Sequence, residues 1–330
     1  MRLQTILLGV IVFIAGGPAT ALAQRFTFER SFDTKGSSAI DISTLQGKIE
    51  VTVGESGRTV VVGTATVRVD WNVPGNAADL ARKVADHPPI QQDGQTLRLM
   101  PPSDPTERRA VTVSYQVRVP RETDVTTTTE SGETTVRGVS RAVTIHTQSG
   151  AITVMQIGGA TVLTTGSGSV TADGIAGSLS VTTNSSGVSA RSIAGDLRVR
   201  TKSGAVDAGF AGEGAADVET GSSGIQLKDI RGAITAVTRS GRISIQGEPQ
   251  RDWSVSSGSG GIDIATGASA PFAIDLNSGS GSVKVIGASV DGAVTKRKAA
   301  GDISGGGALV RAASRSGSIV VRVGEGRTLQ

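Results

Sequence analysis

Two histidines make up the whole imidazole complement of this 330-residue chain. His146 lies between Ile145 and Thr147, an outward position on a strand, and His87 precedes Pro88-Pro89 at the end of a helical stretch. A zinc centre or an acid–base catalyst needs several such groups converging on one point, and this pair does not supply them. Serines are abundant, yet nothing resembles the G-x-S-x-G elbow between a strand and a helix that exposes a nucleophilic hydroxyl. The SGSG runs at 257–260 and 278–281 read as turns. Cysteine is absent, which excludes disulfides, thiolate metal sites, a nucleophilic thiol and a cysteine-borne lipid anchor.

Carboxylates and cations remain. No G-x-x-x-x-G-K-[ST] phosphate loop occurs, and no helix follows any glycine-rich stretch. A calcium ladder would need a repeated G-G-x-G-x-D; the nearest match, Gly258-Ser-Gly-Gly-Ile-Asp263, occurs once, and Asp173, Asp196 and Asp207 fall at differing registers. Polysaccharide-cleaving sites place several acids and bases on neighbouring coils. Asp173 and Arg191, 18 residues apart, would be neighbours of that kind, and their simplest role is a surface ion pair. Arg198, Arg200 and Lys202 alternate along one run and project to one side. Lys296, Arg297 and Lys298 form a second basic cluster in a loop. These six residues are the candidate partner-binding surface, suited to an acidic polymer or lipid headgroup and salt-sensitive if used. Aromatics, at 3%, are too few for the stacking platforms of sugar or single-stranded nucleic-acid sites, so nucleic acid is not an expected partner. No catalytic, cofactor or metal residue is assigned.

The elements that would carry these residues follow from a period. Aligned on Ser149-Gly150-Ala151-Ile152, one register recurs as Thr134, Ile152, Val170, Val188, Val206, Ile225, Ile243, Ile262, Val283, Ile303 and Ile319, first at steps of 18 and then at 16 to 21. A second register lies two residues on, and a third runs Val139, Ile157, Ile175 and Ile193, weakens for one unit and resumes at Ile230. Each unit is two alternating runs joined at a Ser-Gly corner and closed at a glycine corner. Alternation at period 2 predicts strands, and the glycines and β-branched residues argue against helix. Two such short strands cannot bury a face alone, so the units must stack. The predicted fold is all-β: a single-stranded parallel β-helix of ~18-residue coils over 121–330, with residues 121–327 making roughly eleven coils about 50 Å long. A right-handed coil is preferred on the general handedness of parallel crossovers; a stack of β-hairpins is the alternative. A narrow interior would account for the scarcity of aromatics.

The ends differ. Arg2 followed by the apolar run Ile6 to Ala15 and by Ala21-Leu22-Ala23 predicts a secretory signal peptide over 1–23, an uncleaved anchor being the alternative. Its removal takes the net charge from +4 to +3, and no later stretch approaches membrane-spanning length. The expected location is extracytoplasmic, periplasmic or at the cell surface, with no integral membrane segment after cleavage. Residues 24–120 read as a β-rich capping section with a helix over 76–86, Asn76 as its cap and Ala77, Leu80, Ala81 and Val84 as its apolar stripe. A solenoid needs such a cover against edge-to-edge association.

The run GKIEVTVGESG, a helix ending near Asp86, the strand SYQVRVPRETDV and the iterated TTESGETTVRGV, TQSGAITVMQIGG and TKSGAVDAGF units resemble the DUF4097 family of bacterial β-strand-repeat proteins, catalogued as adhesins. That resemblance, over nearly the whole mature chain, implies an exported β-helix-like protein without established catalytic residues. Three functions stay open at this point: an exported adhesin or envelope scaffold that binds a protein or acidic polysaccharide, a carbohydrate-active β-helix enzyme, and an envelope-stress accessory.

Overall fold

The computed structural model describes residues 24–34, 38–68, 74–267 and 271–324. The proposed signal peptide at 1–23 lies outside them. The chain divides into two compact units, residues 1–139 and 140–330.

In the first unit the elements are β1 (Arg25–Asp33), β2 (Ser38–Thr44), β3 (Ile49–Val53), β4 (Arg58–Val67), α1 (Ala77–Asp86), β5 (Ile90–Asp93), β6 (Thr96–Leu99), α2 (Pro105–Ala110), β7 (Val111–Val119), β8 (Thr123–Thr129) and β9 (Thr134–Arg137). One sheet runs β1-β4-β7-β3-β9 and the other β8-β2-β6-β5. Alternation places Ile40 and Ile42 of β2, and Val117 and Val119 of β7, inside. Helix α1 forms as predicted and buries Ala77, Ala81, Val84 and Ala85, while Leu80 stays half-exposed. Asn76 occupies the cap position, but its side chain makes no capping bond, because its backbone is not in the extended conformation that aims a cap at the first turn. Helix α2 was not anticipated. Its signal is short but complete: Asp104 accepts the Thr106 N–H at 2.7 Å and Pro105 opens the helix. Lys83 of α1 reaches the buried Glu107 of α2 at 2.8 Å.

The second unit opens with β10 (Val143–Thr147), β11 (Ile152–Ile157), β12 (Thr161–Thr165), β13 (Val170–Ile175), β14 (Leu179–Thr183), β15 (Val188–Ile193), β16 (Leu197–Thr201), β17 (Val206–Phe210), β18 (Ala216–Thr220) and β19 (Ile225–Ile230). It continues with β20 (Ile234–Thr238), β21 (Ile243–Gly247), β22 (Trp253–Ser257), β23 (Ile262–Thr266), β24 (Phe272–Ser278), β25 (Val283–Ile286), β26 (Asp291–Val294), β27 (Lys298–Ile303), β28 (Ala308–Ser314) and β29 (Ile319–Val323). Even-numbered strands from β10 to β22 pair in parallel in one sheet and odd-numbered strands from β11 to β23 in the other. Each coil contributes one strand to each sheet, the arrangement of a parallel β-solenoid. The predicted columns are real ladders: Ile152, Val170, Val188, Val206, Ile225, Ile243 and Ile262 are successive register partners, each nearly fully buried. Burying each such side chain contributes roughly 1.5–3 kcal/mol.

Four details add to the sequence reading or depart from it. First, the corner hydroxyls point inward. Thr147, Thr165, Thr201 and Thr238 are buried, and each Oγ1 accepts the N–H of the glycine three residues on, at 2.9–3.0 Å. The glycine itself is required by proximity: a Cβ on Gly168 would lie 1.7 Å from the Gly150 carbonyl oxygen of the coil beside it. Second, the third column gets its kink from a left-handed residue just before it, at Gln156, Gly174, Ser192 and Asp229, with φ of +56°, +68°, +54° and +56°. The coil that weakened in sequence lacks this bulge, so Phe210 reaches the column one residue early, opposite Ile193. Third, the interior does accept aromatics. Trp253 is 1% exposed in the ladder between Ile234 and Val310, its indole N–H donating to the Gly232 carbonyl at 3.0 Å, and Phe272 is fully buried.

The fourth concerns order. Ile303 is not a rung of the ladder; it lies in β27, antiparallel to β24. The coil β28/β29, last among the described elements, pairs with β22/β23 on one side and with β24/β25 on the other. Among the described residues the unit therefore has nine coils, β10/β11 to β28/β29 without β26 and β27. The residues 291–303 form a hairpin at the end of one sheet instead of a further coil.

Candidate interaction surface

The outward positions of the second unit form rows, because register partners in parallel strands sit side by side at ~4.8 Å. On the sheet of even-numbered strands the rows begin Thr144, Val162, Ser180, Arg198, Asp217 and His146, Thr164, Thr182, Arg200, Glu219. The proposed basic stripe thus faces acids on the next coil. Arg198 Nε lies 3.2 Å from Asp217 Oδ2, and Arg200 pairs with both Asp217 and Glu219, the latter at 3.4 Å. Arg200 also donates to the Asp217 carbonyl at 3.0 Å. This patch is a block of alternating sign, and water screens it, since the Arg198 side chain is 67% exposed. The partner acids escape a search at 18 residues because this coil is 19 long, from Leu197 to Ala216.

Lys202 stands beyond the end of β16 on the exposed corner. Lys296 and Arg297 occupy the turn of the β26–β27 hairpin and Lys298 opens β27, all three exposed. Backbone bonds pin the turn: Ser278 N–H donates to the Arg297 carbonyl at 2.8 Å and Val283 N–H to the Lys296 carbonyl at 2.9 Å. Six strand spacings, β16-β18-β20-β22-β28-β24-β27, separate the two clusters by about 29 Å. They are two surfaces, not one. Asp173 and Arg191 are register partners as expected, but theirs is not among the ion pairs of the described residues. On that sheet Lys228 pairs with Asp207 at 3.9 Å, and Asp263 receives Arg242 at 3.4 Å and Arg322 at 3.5 Å.

His146 is exposed on β10, and His87 is exposed at the end of α1. Among the described residues no group of three His, Asp or Glu side chains could hold a metal ion. Tyr115 is buried beside Phe28, its hydroxyl donating to the Met100 carbonyl at 3.4 Å, and burial raises its phenol pKa. A cavity lined in part by Tyr115 has room for about one water, 10 Å³. These features serve packing.

The larger concavity is an open trough of 500 Å³ where the odd-numbered strands begin, crossing the coils of β13, β15, β17, β19 and β21. Its floor is made by small residues, Gly187, Ala205 and Gly224, and by the buried column beneath them. Thr171, Ser189, Asp207, Gln226 and Ser244 form one polar wall, with Arg242 at the end. Sequence reading missed it because a row of small residues leaves no motif; a depression appears only when coils stack. Among the described residues no helix is long and apolar enough to cross a membrane.

No family model matches the chain, and no curated protein gives a match. Solved structures similar to it include two described as follows. One is described as a "putative cell adhesion protein" from Clostridium sporogenes: 9% identical, it covers 90% of this chain and 100% of its own, with a TM-score of 0.19. The other, a "putative adhesin" from Bacteroides fragilis, is 13% identical over 90% of this chain and 97% of its own, with a TM-score of 0.20. Superpositions this loose carry no functional argument, and the DUF4097 resemblance rests on the sequence motifs alone.

Proposed function

We propose that this chain is an exported, non-enzymatic β-solenoid that acts as an adhesin or envelope scaffold, binding a protein or an acidic polysaccharide through its repeat surface. The observation that carries this reading is the trough: it runs across five coils, open along its length, with the hydroxyls of Thr171, Ser189 and Ser244, the Gln226 amide and the Asp207 carboxylate on one wall and Arg242 at one end. Such a shape suits an extended polymer lying along the stack, held by many weak contacts. A reaction centre needs a few groups held close with shifted acidity, and the charged groups of these coils are instead dispersed in exposed rows of opposite sign.

The test is binding of the purified mature protein to anionic polysaccharides and to native envelope extracts, with chain length of the polymer followed in parallel. Gly187→Arg fills the trough without a backbone clash, since its Cβ would meet only the Ala205 carbonyl oxygen at 3.7 Å. Loss of binding in that variant, with no shortening of the polymer by the parent, supports the reading. Turnover of the polymer would replace it with the carbohydrate-active alternative. A salt-sensitive loss on replacing Lys202, Lys296, Arg297 and Lys298, but not on Gly187→Arg, would move the contact to the basic corners.

A further inference from the structure

We infer that the terminal coil, β28/β29, is exchangeable, and that two copies of this chain folding together can close each other by trading it. This rests on the topology of the coil and is independent of the partner proposed above.

The coil occupies a slot with strands on both sides, although nothing in the chain order requires it there. Val310, Ala312, Ile319 and Val321 are fully buried in the slot. Ser314 Oγ donates to the Gly260 carbonyl at 3.0 Å, and Ser278 Oγ donates to the Gly317 carbonyl at 2.9 Å, so both neighbouring coils grip the insert. All these contacts are made by segments repeated in any second copy. Because the coil comes last among the described elements, it can leave the slot without unthreading any of the others, and the coils of β22/β23 and β24/β25 then face each other across a gap one strand wide. Until the insert arrives, four strand edges lie bare, a template for any chain with the same pattern.

The tether favours exchange. Ile303 and Ala308 flank Phe272 from opposite sides, so residues 304–307 must stride over the entry to β24. Ser304, Gly305 and Gly306 take φ of +54°, +97° and +78°, and a Cβ on Gly307 would lie 2.6 Å from the Pro271 carbonyl oxygen. A short hinge that doubles back over its own chain is the arrangement that opening relieves, and strand exchange lets it run straight with every rung contact kept. The exposed Ile286 and Val294 lie at the same end, where a second copy would have to approach.

The absence of native cysteine makes the test clean. Ser256 and Ala313 are outward register partners across the slot. A chain with Ser256→Cys is co-expressed with one carrying Ala313→Cys, then purified and mildly oxidised. Exchange predicts a disulfide-linked species at twice the monomer mass that contains both chains. The control replaces the second chain by one with Val237→Cys, the register partner of Ser256 on the other side, in a coil the chain cannot trade. No linked dimer with the first pair, or equal linking with both pairs, overturns the inference. A single chain carrying Ser256→Cys and Ala313→Cys must link internally or in a dimer; failure of both would refute the slot itself.

Discussion

Replacing Thr165 by Val keeps the volume and branching of the side chain and removes one oxygen. That oxygen is buried, with Thr165 2% exposed, and it accepts the N–H of Gly168 at 3.0 Å. It also donates to the Gly150 carbonyl, but at 3.5 Å this second bond is too long to weigh much. The N–H left behind sits in a corner that water cannot enter without opening the stack, and an unsatisfied buried donor costs about 1–3 kcal/mol. The added methyl returns up to ~0.8 kcal/mol of apolar burial. The net loss is therefore about 1–2 kcal/mol, which for a unit of this size lowers the melting temperature by roughly 2–8 °C. Urea unfolding followed by far-ultraviolet circular dichroism reads the stability, and amide exchange at Gly168 reads the corner directly, since rungs of a solenoid can open separately. The control is Thr164→Val, one residue earlier and pointing outward, which should change stability by no more than about 0.5 kcal/mol. If Thr165→Val matched the parent, or if both variants lost stability equally, the corner hydroxyls would not fix the turns.

Ile157→Asp puts an unpaired charge into a column where the native side chain is 1% exposed, so thermal melting should show a loss of several kcal/mol, of the order of ~3 or more. Gln156→Gly, at an exposed position with φ +56°, relieves the left-handed strain and should raise the urea midpoint, by a net ~0.5–1 kcal/mol after the entropy of glycine is deducted. Unchanged stability there would argue against the bulge as a strained element. The Asp104 carboxyl is held below its usual value, first by the Thr106 backbone N–H at the start of α2. Its lowered value means that its contribution is present above the ordinary Asp range and lost as pH falls through its folded value, so Asp104→Ala should flatten the acid limb of stability. Lys83 is shifted upward, chiefly by its bond to Glu107, so that contribution is present below the ordinary lysine value and fades as pH rises through the folded one. An alkaline limb unchanged in Lys83→Met would deny the pair a role.

Strand, corner and stacking period were legible in the sequence because the repeat writes each of them in every coil. Alternation decides which side chains face in, and Ser-Gly marks where the chain must turn, whatever lies beside it. The same local logic yielded α1. Helix α2 was equally local, with Asp104, Pro105 and Glu107 in place, and was overlooked because six residues fall below the length at which periodicity speaks. The electrostatic surface was less legible. Arg198 and Arg200 looked like a basic stripe until the 19-residue coil brought Asp217 and Glu219 opposite them, since a one-residue slip of register changes which charges meet.

The chain alone therefore determined that coils form and what each one buries, because those preferences are settled within about twenty residues of backbone geometry and side-chain burial. Only the tertiary structure decided the order in which the last coils stack, the trough along the coils of β13 to β21 and the acids that meet the arginines. Rungs of like pattern offer nearly the same hydrogen bonds and apolar columns to one another, so local energies cannot rank their order. The choice passes to the hairpin at 291–303 and the four-residue tether that follows it, whose geometry exists only once the chain has folded back on itself.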